Sequence, residues 1–138
     1  EDCLYADLGI DPGTYGCQHY EASQFMFYKR NIDTAAYLIL WQIGVAGDRS
    51  LAKFSTNAAY RQILVELLRQ YYPAEHQVIL YEAVTLPIQQ TRIEQMPLSV
   101  LPDALMDLKT TLVIPPAMSM QLNDALLERL EKLSARQQ

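Results

Sequence analysis

The sequence has only two cysteines, Cys3 and Cys17, and two histidines, His19 and His76. None of them forms a CxxC pair or another spacing that is typical of a structural zinc site, so we expect no metal site. Two cysteines without such a spacing indicate free, buried thiols in a reducing compartment. The sequence therefore predicts a cytoplasmic protein.

Glycine is also scarce, at five residues, and the glycine-rich motifs for dinucleotides, for nucleoside triphosphates and for a serine nucleophile are all absent. Basic residues are outnumbered, 11 against 16 acidic ones, and the net charge of −5 argues against a nucleic-acid partner. No apolar run approaches the roughly 20 residues of a membrane-spanning helix, so we expect no membrane partner.

What the sequence does contain is a pattern of strands and helices in 138 residues, which is enough for one domain. Short runs rich in apolar or β-branched residues predict strands at 17–28, 37–43, 77–84, 91–97 and 110–116. The run at 37–43 reads as the central strand, and 91–97 reads as an edge strand. The fold class is α/β, with a mixed sheet of about five strands flanked by helices. The strands at 37–43 and 77–84 are joined through a helix and should be parallel.

Helical spacing predicts one helix from 57 to about 72 and another from 119 to about 133. The first is capped by Thr56 or Asn57, and its apolar face comprises Tyr60, Ile63, Leu64, Leu67, Leu68 and Tyr71. The second is capped by Ser119, contains the favourable pair Glu128–Lys132, and has an apolar face of Leu122, Leu126, Leu130 and Leu133. A helical turn is expected around Pro102, and residues 134–138 should fray.

Polar or small residues stand at one end of three of the predicted strand runs: Gln42-Ile43-Gly44, Glu82-Ala83 and Thr110-Thr111. Ligands of open α/β sheets bind beyond the strand ends, so these residues could line one rim around a flat heteroaromatic ligand. The alternative is that Gln42 caps its strand while Gly44 and Ala83 merely allow a turn and tight packing.

A second polar patch, Tyr20-Glu21 with Ser23, interrupts the otherwise apolar run 17–28. Glu21 is a candidate general base with Tyr20 beside it, and Glu21 and Glu82 are a candidate carboxylate pair. Alternatively, Glu21 is an exposed glutamate of a strand.

The chain begins at Glu1 rather than with methionine, and its first residues read as the end of a helix already under way. Leu4, Tyr5 and Leu8 form an apolar stripe, and Gly9 provides the stop. We expect the sequence to be a piece of a longer protein, cut inside or just before a helix.

Several stretches, in this order and spacing, resemble the C-terminal domain of the tetrapyrrole methylase family, and most of all the borosin-type peptide backbone N-methyltransferases. The stretches are Ala6–Gly13, Gln18–Phe25, Leu38–Gly44, Val78–Ala83, Arg92–Glu94 and Thr110–Pro116. The resemblance covers nearly the whole chain and implies the C-terminal half of a two-domain methyltransferase, with the N-terminal domain absent from this chain.

The resemblance also implies a cofactor, S-adenosylmethionine (SAM), held between the two domains. The matching positions are Gln42, Ile43, Gly44, Tyr81, Glu82, Ala83, Val84, Thr110, Thr111 and Leu112, of which Gln42, Ile43, Ala83 and Thr111 align best. Because the main catalytic groups of the family lie in the other domain, this chain alone should bind SAM weakly and be inactive.

The resemblance also implies two expectations about partners. The protein should transfer methyl groups to backbone amides of a separate peptide substrate, and it should form an intertwined homodimer. Two other functions stay open: methylation of a tetrapyrrole carbon, and a non-catalytic domain for dimerisation or partner binding. An exposed apolar face on the helix at 57–72 or 119–133 would favour the last of these.

Overall fold

The computed structural model of the chain describes residues 2–46, 58–83, 90–106 and 109–136. Its α-helices are α1 (Asp2–Leu8), α2 (Pro12–Tyr15), α3 (Ala22–Phe27), α4 (Ala58–Leu68) and α5 (Asp124–Arg136). Its strands are β1 (Cys17–Glu21), β2 (Tyr37–Trp41), β3 (Gln77–Glu82), β4 (Arg92–Pro97) and β5 (Thr111–Ile114). Two 3₁₀ helices, Ile43–Val45 and Leu98–Asp103, follow β2 and β4.

The five strands form one mixed sheet in the order β1-β2-β5-β3-β4. β1 and β2 are parallel, and the other three pairings are antiparallel. This confirms the predicted fold class, and it confirms that β4 is an edge strand. β2 and β3 run in the same direction, as predicted, because both are antiparallel to β5, which lies between them.

The middle strand is β5, so the prediction that residues 37–43 form the central strand was wrong. All four residues of β5 are buried, and so are Leu38, Ile39 and Leu40 of β2. Both strands are therefore continuous apolar runs of the kind that is covered on both faces. Their order in the sheet depends on strand pairing, which an apolar run alone does not specify.

The two faces of the sheet are covered by different elements. The larger core lies on one face, against α3, α4 and the 3₁₀ helix Leu98–Asp103, and it includes Phe25, Leu40, Leu64, Leu68, Leu80, Leu101 and Leu112. On the other face α1 contributes Leu4 to a smaller cluster with Ile39, Tyr81 and Val113. α1 ends at Leu8, and Gly9 provides the predicted stop with φ +67°, a left-handed conformation that glycine adopts without strain.

The run 17–28 is not one strand. β1 ends at Glu21, and α3 begins at the next residue. The Glu21 carboxylate accepts hydrogen bonds from the backbone N–H groups of Ser23 (3.2 Å) and Gln24 (2.9 Å), which caps the helix. α3 buries Ala22, Ser23 and Phe25. The β propensity of the aromatic residues is thus overridden by the cap and by burial of one helical face.

In α4 the buried residues are Leu64, Val65 and Leu68. Ile63, which was predicted on the apolar face, is 56% exposed, because the face toward the sheet is centred one residue further along the helix. The helix ends at Leu68, before the predicted end near 72. The proposed caps Thr56 and Asn57 lie outside the described residues.

α5 differs most from its prediction. The side chain of Asn123, and not of Ser119, caps the helix by accepting from the Leu126 N–H at 3.2 Å. The helix continues to Arg136, past the predicted start of fraying at 134, and the Glu128–Lys132 pair is present at 3.5 Å. None of its described residues is buried, so the leucines of its apolar face do not join the core of this chain.

The two cysteines are free, as predicted. The prediction that both are buried was wrong: Cys3 is exposed on α1, and Cys17 is partly buried at the start of β1. Burial raises the pKa of the Cys17 thiol, an effect that a hydrogen bond with Tyr5 opposes.

Candidate functional site

A cleft of about 260 Å³ lies at one end of the sheet. Its lining comes from four segments of the chain and consists of Cys3, Leu4, Trp41, Gln42, Tyr81, Ala83, Lys109 and Thr111. The lining offers an amide, a hydroxyl, an ammonium group and an indole ring beside small or apolar side chains. A few polar groups in a mainly apolar hollow are typical of a small-molecule site.

The strand order explains why these segments meet. β2 and β3 run in the same direction, so Gln42 and Ala83, which follow them, lie at the same end of the sheet. β5 lies between them and runs the opposite way, so that its first residue, Thr111, reaches the same end. One residue from each of the three predicted rim segments, Gln42, Ala83 and Thr111, thus reaches the same end of the sheet.

Gln42 has a left-handed backbone, with φ 55° and ψ 44°. β2 pairs with β5 through Leu40 and Leu112, a register in which Gln42 would lie opposite Thr110. Instead the N–H of the next residue, Ile43, donates to the Thr110 carbonyl at 3.1 Å. The chain therefore leaves the regular β2–β5 ladder at Gln42, which lies beside the cleft. A left-handed non-glycine residue stores conformational strain, which is typical of functional sites.

Glu82, the last residue of β3, does not line the cleft. Its Oε2 accepts from Thr110 Oγ1 at 2.6 Å and from Arg92 Nη1 at 2.8 Å. Arg92 also donates to Glu94 on β4. Glu82 and Arg92 lie directly opposite each other on β3 and β4, so their side chains are on the same face of the sheet. The side chain of Tyr81, the preceding residue, is on the other face.

The candidate carboxylate pair of Glu21 and Glu82 is not formed. Glu21 ends β1 and Glu82 ends β3, and both β2 and β5 lie between these strands. Three strand spacings separate the two backbones by about 14 Å, since adjacent strands lie about 4.8 Å apart. Moreover, each carboxylate already accepts hydrogen bonds from its own neighbours.

The weak catalytic candidates Tyr20 and Glu21 both lie outside the lining of the cleft. The Tyr20 ring packs against Phe25 and carries the Arg30 guanidinium at 4.2 Å from its centroid, a cation–π contact. Glu21 is engaged as the cap of α3.

α1 is fastened to the sheet on both sides of the cleft. The hydroxyl of Tyr81 on β3 donates to Asp7 Oδ2 at 2.5 Å, and burial together with this carboxylate raises the pKa of Tyr81. On the other side, the Tyr5 hydroxyl is hydrogen-bonded to His19 Nε2, and the His19 ring stacks on Trp41 with centroids 5.5 Å apart. Two polar contacts therefore hold Cys3 and Leu4 in the wall of the cleft.

Of the ten predicted cofactor-binding residues, four line the cleft: Gln42, Tyr81, Ala83 and Thr111. Five lie outside the lining, namely Ile43, Gly44, Glu82, Thr110 and Leu112, and Val84 lies outside the described residues. The lining residues that the sequence did not suggest are Cys3, Leu4, Trp41 and Lys109. Trp41 and Lys109 directly adjoin predicted segments, so widening each segment by one residue would have found them.

Among residues 2–46, 58–83, 90–106 and 109–136, no cluster of three or more histidine, cysteine or carboxylate side chains could hold a metal ion. Within the same ranges no helix has the length and apolar character needed to cross a membrane.

Several relatives align with the chain, and two of them serve as examples. One is a methyltransferase and precursor of the cyclic gymnopeptides from Gymnopus fusipes, 36% identical over 141 residues that cover 99% of this chain and 34% of that protein. The other is a methyltransferase and type I borosin cyclic peptide precursor from Coprinopsis marcescibilis, 37% identical over 97 residues that cover 69% of this chain and 25% of that protein. By sequence, this chain is a homologue of the borosin-type methyltransferases. No protein-family model matches it.

The fold agrees with this relationship. The methyltransferase CobJ superposes with a TM-score of 0.51 over 89% of this chain and 50% of the CobJ chain, at 13% identity. That likeness shows a shared fold, the tetrapyrrole methylase fold that the sequence suggested. The chain itself spans about one third of the length of the Gymnopus relative.

Proposed function

We propose that the protein containing this chain is a SAM-dependent methyltransferase that methylates backbone amide nitrogens of a peptide. The relatives' names support this, because they combine a methyltransferase with a cyclic peptide precursor. The fold of a known methyltransferase supports the reaction class. Methylation of a tetrapyrrole carbon is the second candidate function, but only the fold supports it.

One observation carries the proposal for the donor site: Gln42, Ala83 and Thr111, each at the end or start of a different strand, line a single cleft. The proposed donor-binding residues remain Gln42, Ile43, Gly44, Tyr81, Glu82, Ala83, Val84, Thr110, Thr111 and Leu112. Those that line the cleft would contact SAM, and their neighbours would act indirectly, by holding the lining in place. Lys109 adds a positive charge that suits the donor's carboxylate.

The cleft of this chain is too small to enclose the whole donor. At about 260 Å³ it falls below the roughly 300–1,000 Å³ of pockets that bury most of a small-molecule ligand. We therefore propose that this chain alone binds SAM weakly and does not turn over, and that another segment of the full protein completes the site.

SAM supplies an electrophilic methyl group. In the reaction the sulfonium–methyl bond would break, with S-adenosylhomocysteine leaving as a neutral thioether, a bond from the methyl carbon to the amide nitrogen would form, and the amide proton would pass to solvent. The nitrogen lone pair is delocalised into the peptide bond, so the amide is a poor nucleophile. Holding donor and amide in line is then a large part of catalysis, because fixing the two reactants in the reactive geometry lowers the entropic part of the activation barrier. Residues of this chain would contribute by orienting the donor.

We further propose that the protein is cytoplasmic and forms a homodimer. The two unpaired cysteines fit a reducing compartment. The exposed leucines of α5 fit a second protein surface. The same exposed face also fits the third candidate, a domain for partner binding, so activity has to decide between them. The peptide substrate would be a separate chain, as the sequence analysis expected, or a segment of the same polypeptide, as the relatives' names favour.

The decisive experiment is a methylation assay of the full protein with SAM, with and without an added peptide, followed by tandem mass spectrometry. We expect methyl groups on backbone nitrogens. Ala83→Leu should strongly reduce transfer, because the larger side chain occupies the cleft, whereas Ala59→Leu, on the exposed side of α4, should not. Methyl groups found on a tetrapyrrole instead would support the second candidate. No transfer to either substrate would favour a binding domain.

A further inference from the structure

A row of polar contacts runs directly behind the cleft and crosses four neighbouring strands. Arg92 at the start of β4 and Thr110 just before β5 donate to the same oxygen, Oε2 of Glu82 at the end of β3. The carbonyl of Thr110 then accepts from the N–H of Ile43, just after β2. The distances are 2.8, 2.6 and 3.1 Å, in the order given.

Three members of this row are adjacent in sequence to a residue that lines the cleft. Glu82 precedes Ala83, Thr110 precedes Thr111, and Ile43 follows Gln42. Consecutive Cα atoms are fixed about 3.8 Å apart, so a displacement of any member moves the adjoining part of the lining.

The row is also sheltered. Thr110 and Ile43 are completely buried, and the Glu82 and Arg92 side chains are only 14% and 25% exposed. Hydrogen bonds to an ionised carboxylate are stronger than those between neutral groups, and removing a buried donor leaves its acceptor with an unmet hydrogen bond. Glu94, the second partner of Arg92, is half exposed and lies away from the row.

We propose that Arg92, Glu82 and Thr110 are positioning residues for the methyl donor. They fix the ends of β2, β3 and β5 relative to one another, so that Gln42, Ala83 and Thr111 face one ligand. This inference rests on the proposed function, because it takes the cleft as this chain's part of the donor site. Glu82 and Thr110 then act behind the lining rather than as direct contacts to SAM.

The test is Thr110→Val in the full protein, since valine keeps the branched shape and removes the hydroxyl that reaches Glu82. We expect the KM for SAM and the Kd for the product S-adenosylhomocysteine to rise roughly tenfold, a change that corresponds to about 1.4 kcal/mol. The kcat and the KM for the peptide should change little. Mere loss of folded protein would lower kcat and leave the KM for SAM where it was.

Two controls accompany this variant. Thr110→Ser keeps a hydroxyl at the same place and should restore the KM for SAM. Glu94→Gln removes the negative charge of the exposed partner of Arg92 without touching Glu82, and it should leave the KM for SAM and the Kd for S-adenosylhomocysteine unchanged. If Thr110→Val does not fold, Glu82→Gln is measured in the same way, because it keeps a side-chain oxygen and removes the charge that Arg92 binds.

The outcomes separate the two proposals. A folded Thr110→Val or Glu82→Gln protein with the wild-type KM for SAM overturns the positioning role alone. A wild-type protein that neither binds SAM nor transfers its methyl group overturns the proposed function, and the positioning role falls with it.

Discussion

At the scale of single residues, Gln42 shows how far a sequence can indicate a site. An amide after an apolar run and just before Gly44 suggested a strand end that a ligand can approach, and Gln42 does line the cleft. Its left-handed backbone was not foreseeable, because it depends on where β2 leaves its pairing with β5. Local sequence thus indicates a candidate residue, whereas its conformation depends on a partner strand far along the chain.

We expect opposite changes in stability when the hydroxyl groups of two buried tyrosines are removed. Within the described residues the Tyr72 hydroxyl has no hydrogen-bond partner, whereas the Tyr81 hydroxyl donates to Asp7. We expect Tyr72→Phe to raise the free energy of unfolding by about 1 kcal/mol and Tyr81→Phe to lower it by about as much. Urea unfolding of both variants measures this. A large loss of stability in Tyr72→Phe would mean that its hydroxyl has a partner after all.

The Tyr72→Phe variant should also change how the stability of the protein depends on pH. Burial, with the nearby Asp33 charge, raises the pKa of Tyr72 to about 12, whereas an unfolded tyrosine ionises near 10. Between these values the unfolded chain has lost the proton that the folded chain keeps, so raising the pH favours unfolding. The contribution of Tyr72 is fully present below about pH 10 and is lost as the pH approaches 12. In Tyr72→Phe the stability should fall less steeply over this range.

At the scale of elements, the segment 17–28 shows why one prediction failed. Its aromatic residues favour a strand by propensity, and the first five residues do form one. Glu21 then ends the strand by capping α3, a role that its sequence context does not distinguish from that of an exposed strand glutamate. The phase of α4 was misjudged for a related reason: Ile63 and Val65 are both apolar, and only packing decides which of them is buried.

The role of Glu21 can be tested at this scale. Glu21→Ser keeps an N-cap but removes the carboxylate, and Glu21→Ala removes both. If Glu21 is only a cap, the serine variant should keep full methyl transfer, and the alanine variant should lose about 1 kcal/mol of stability with little change in kcat. A general base would instead show a loss of about 10²- to 10⁴-fold in kcat for both variants. Steady-state kinetics with thermal unfolding distinguishes the two roles.

At the scale of the whole molecule, the fold class and the number of strands were predictable because alternating apolar runs and amphipathic segments restrict the architecture to an α/β sheet. The strand order was not, since β2 and β5 are both mainly apolar and each contains at least three consecutive buried residues. The cleft could be foreseen only as a set of strand ends. Its wall from α1 depends on the Tyr81–Asp7 and Tyr5–His19 contacts, which join residues far apart in sequence.

α5 has the strongest consequence for assembly. Leu126, Leu130 and Leu133 are each about half exposed, although they form one apolar stripe of the helix. If α5 packs against a second copy of the protein, replacing all three with serine should convert dimers to monomers without lowering the stability of the remaining fold. Sedimentation velocity measures the first effect, and urea unfolding the second. Ile63→Ser, an exposed apolar residue on α4, is the matched control and should leave the dimer intact.

The central place of β5 also has a consequence for how the protein is made. A ribosome releases the chain from its N-terminus, so the outer pairs β1-β2 and β3-β4 emerge before the strand that joins them. Until residue 114 leaves the exit tunnel, one edge of β2 and one edge of β3 remain unpaired, and such edges are prone to pair with other chains. The nascent protein therefore passes through a period of vulnerability to aggregation that ends only when β5 is inserted between β2 and β3.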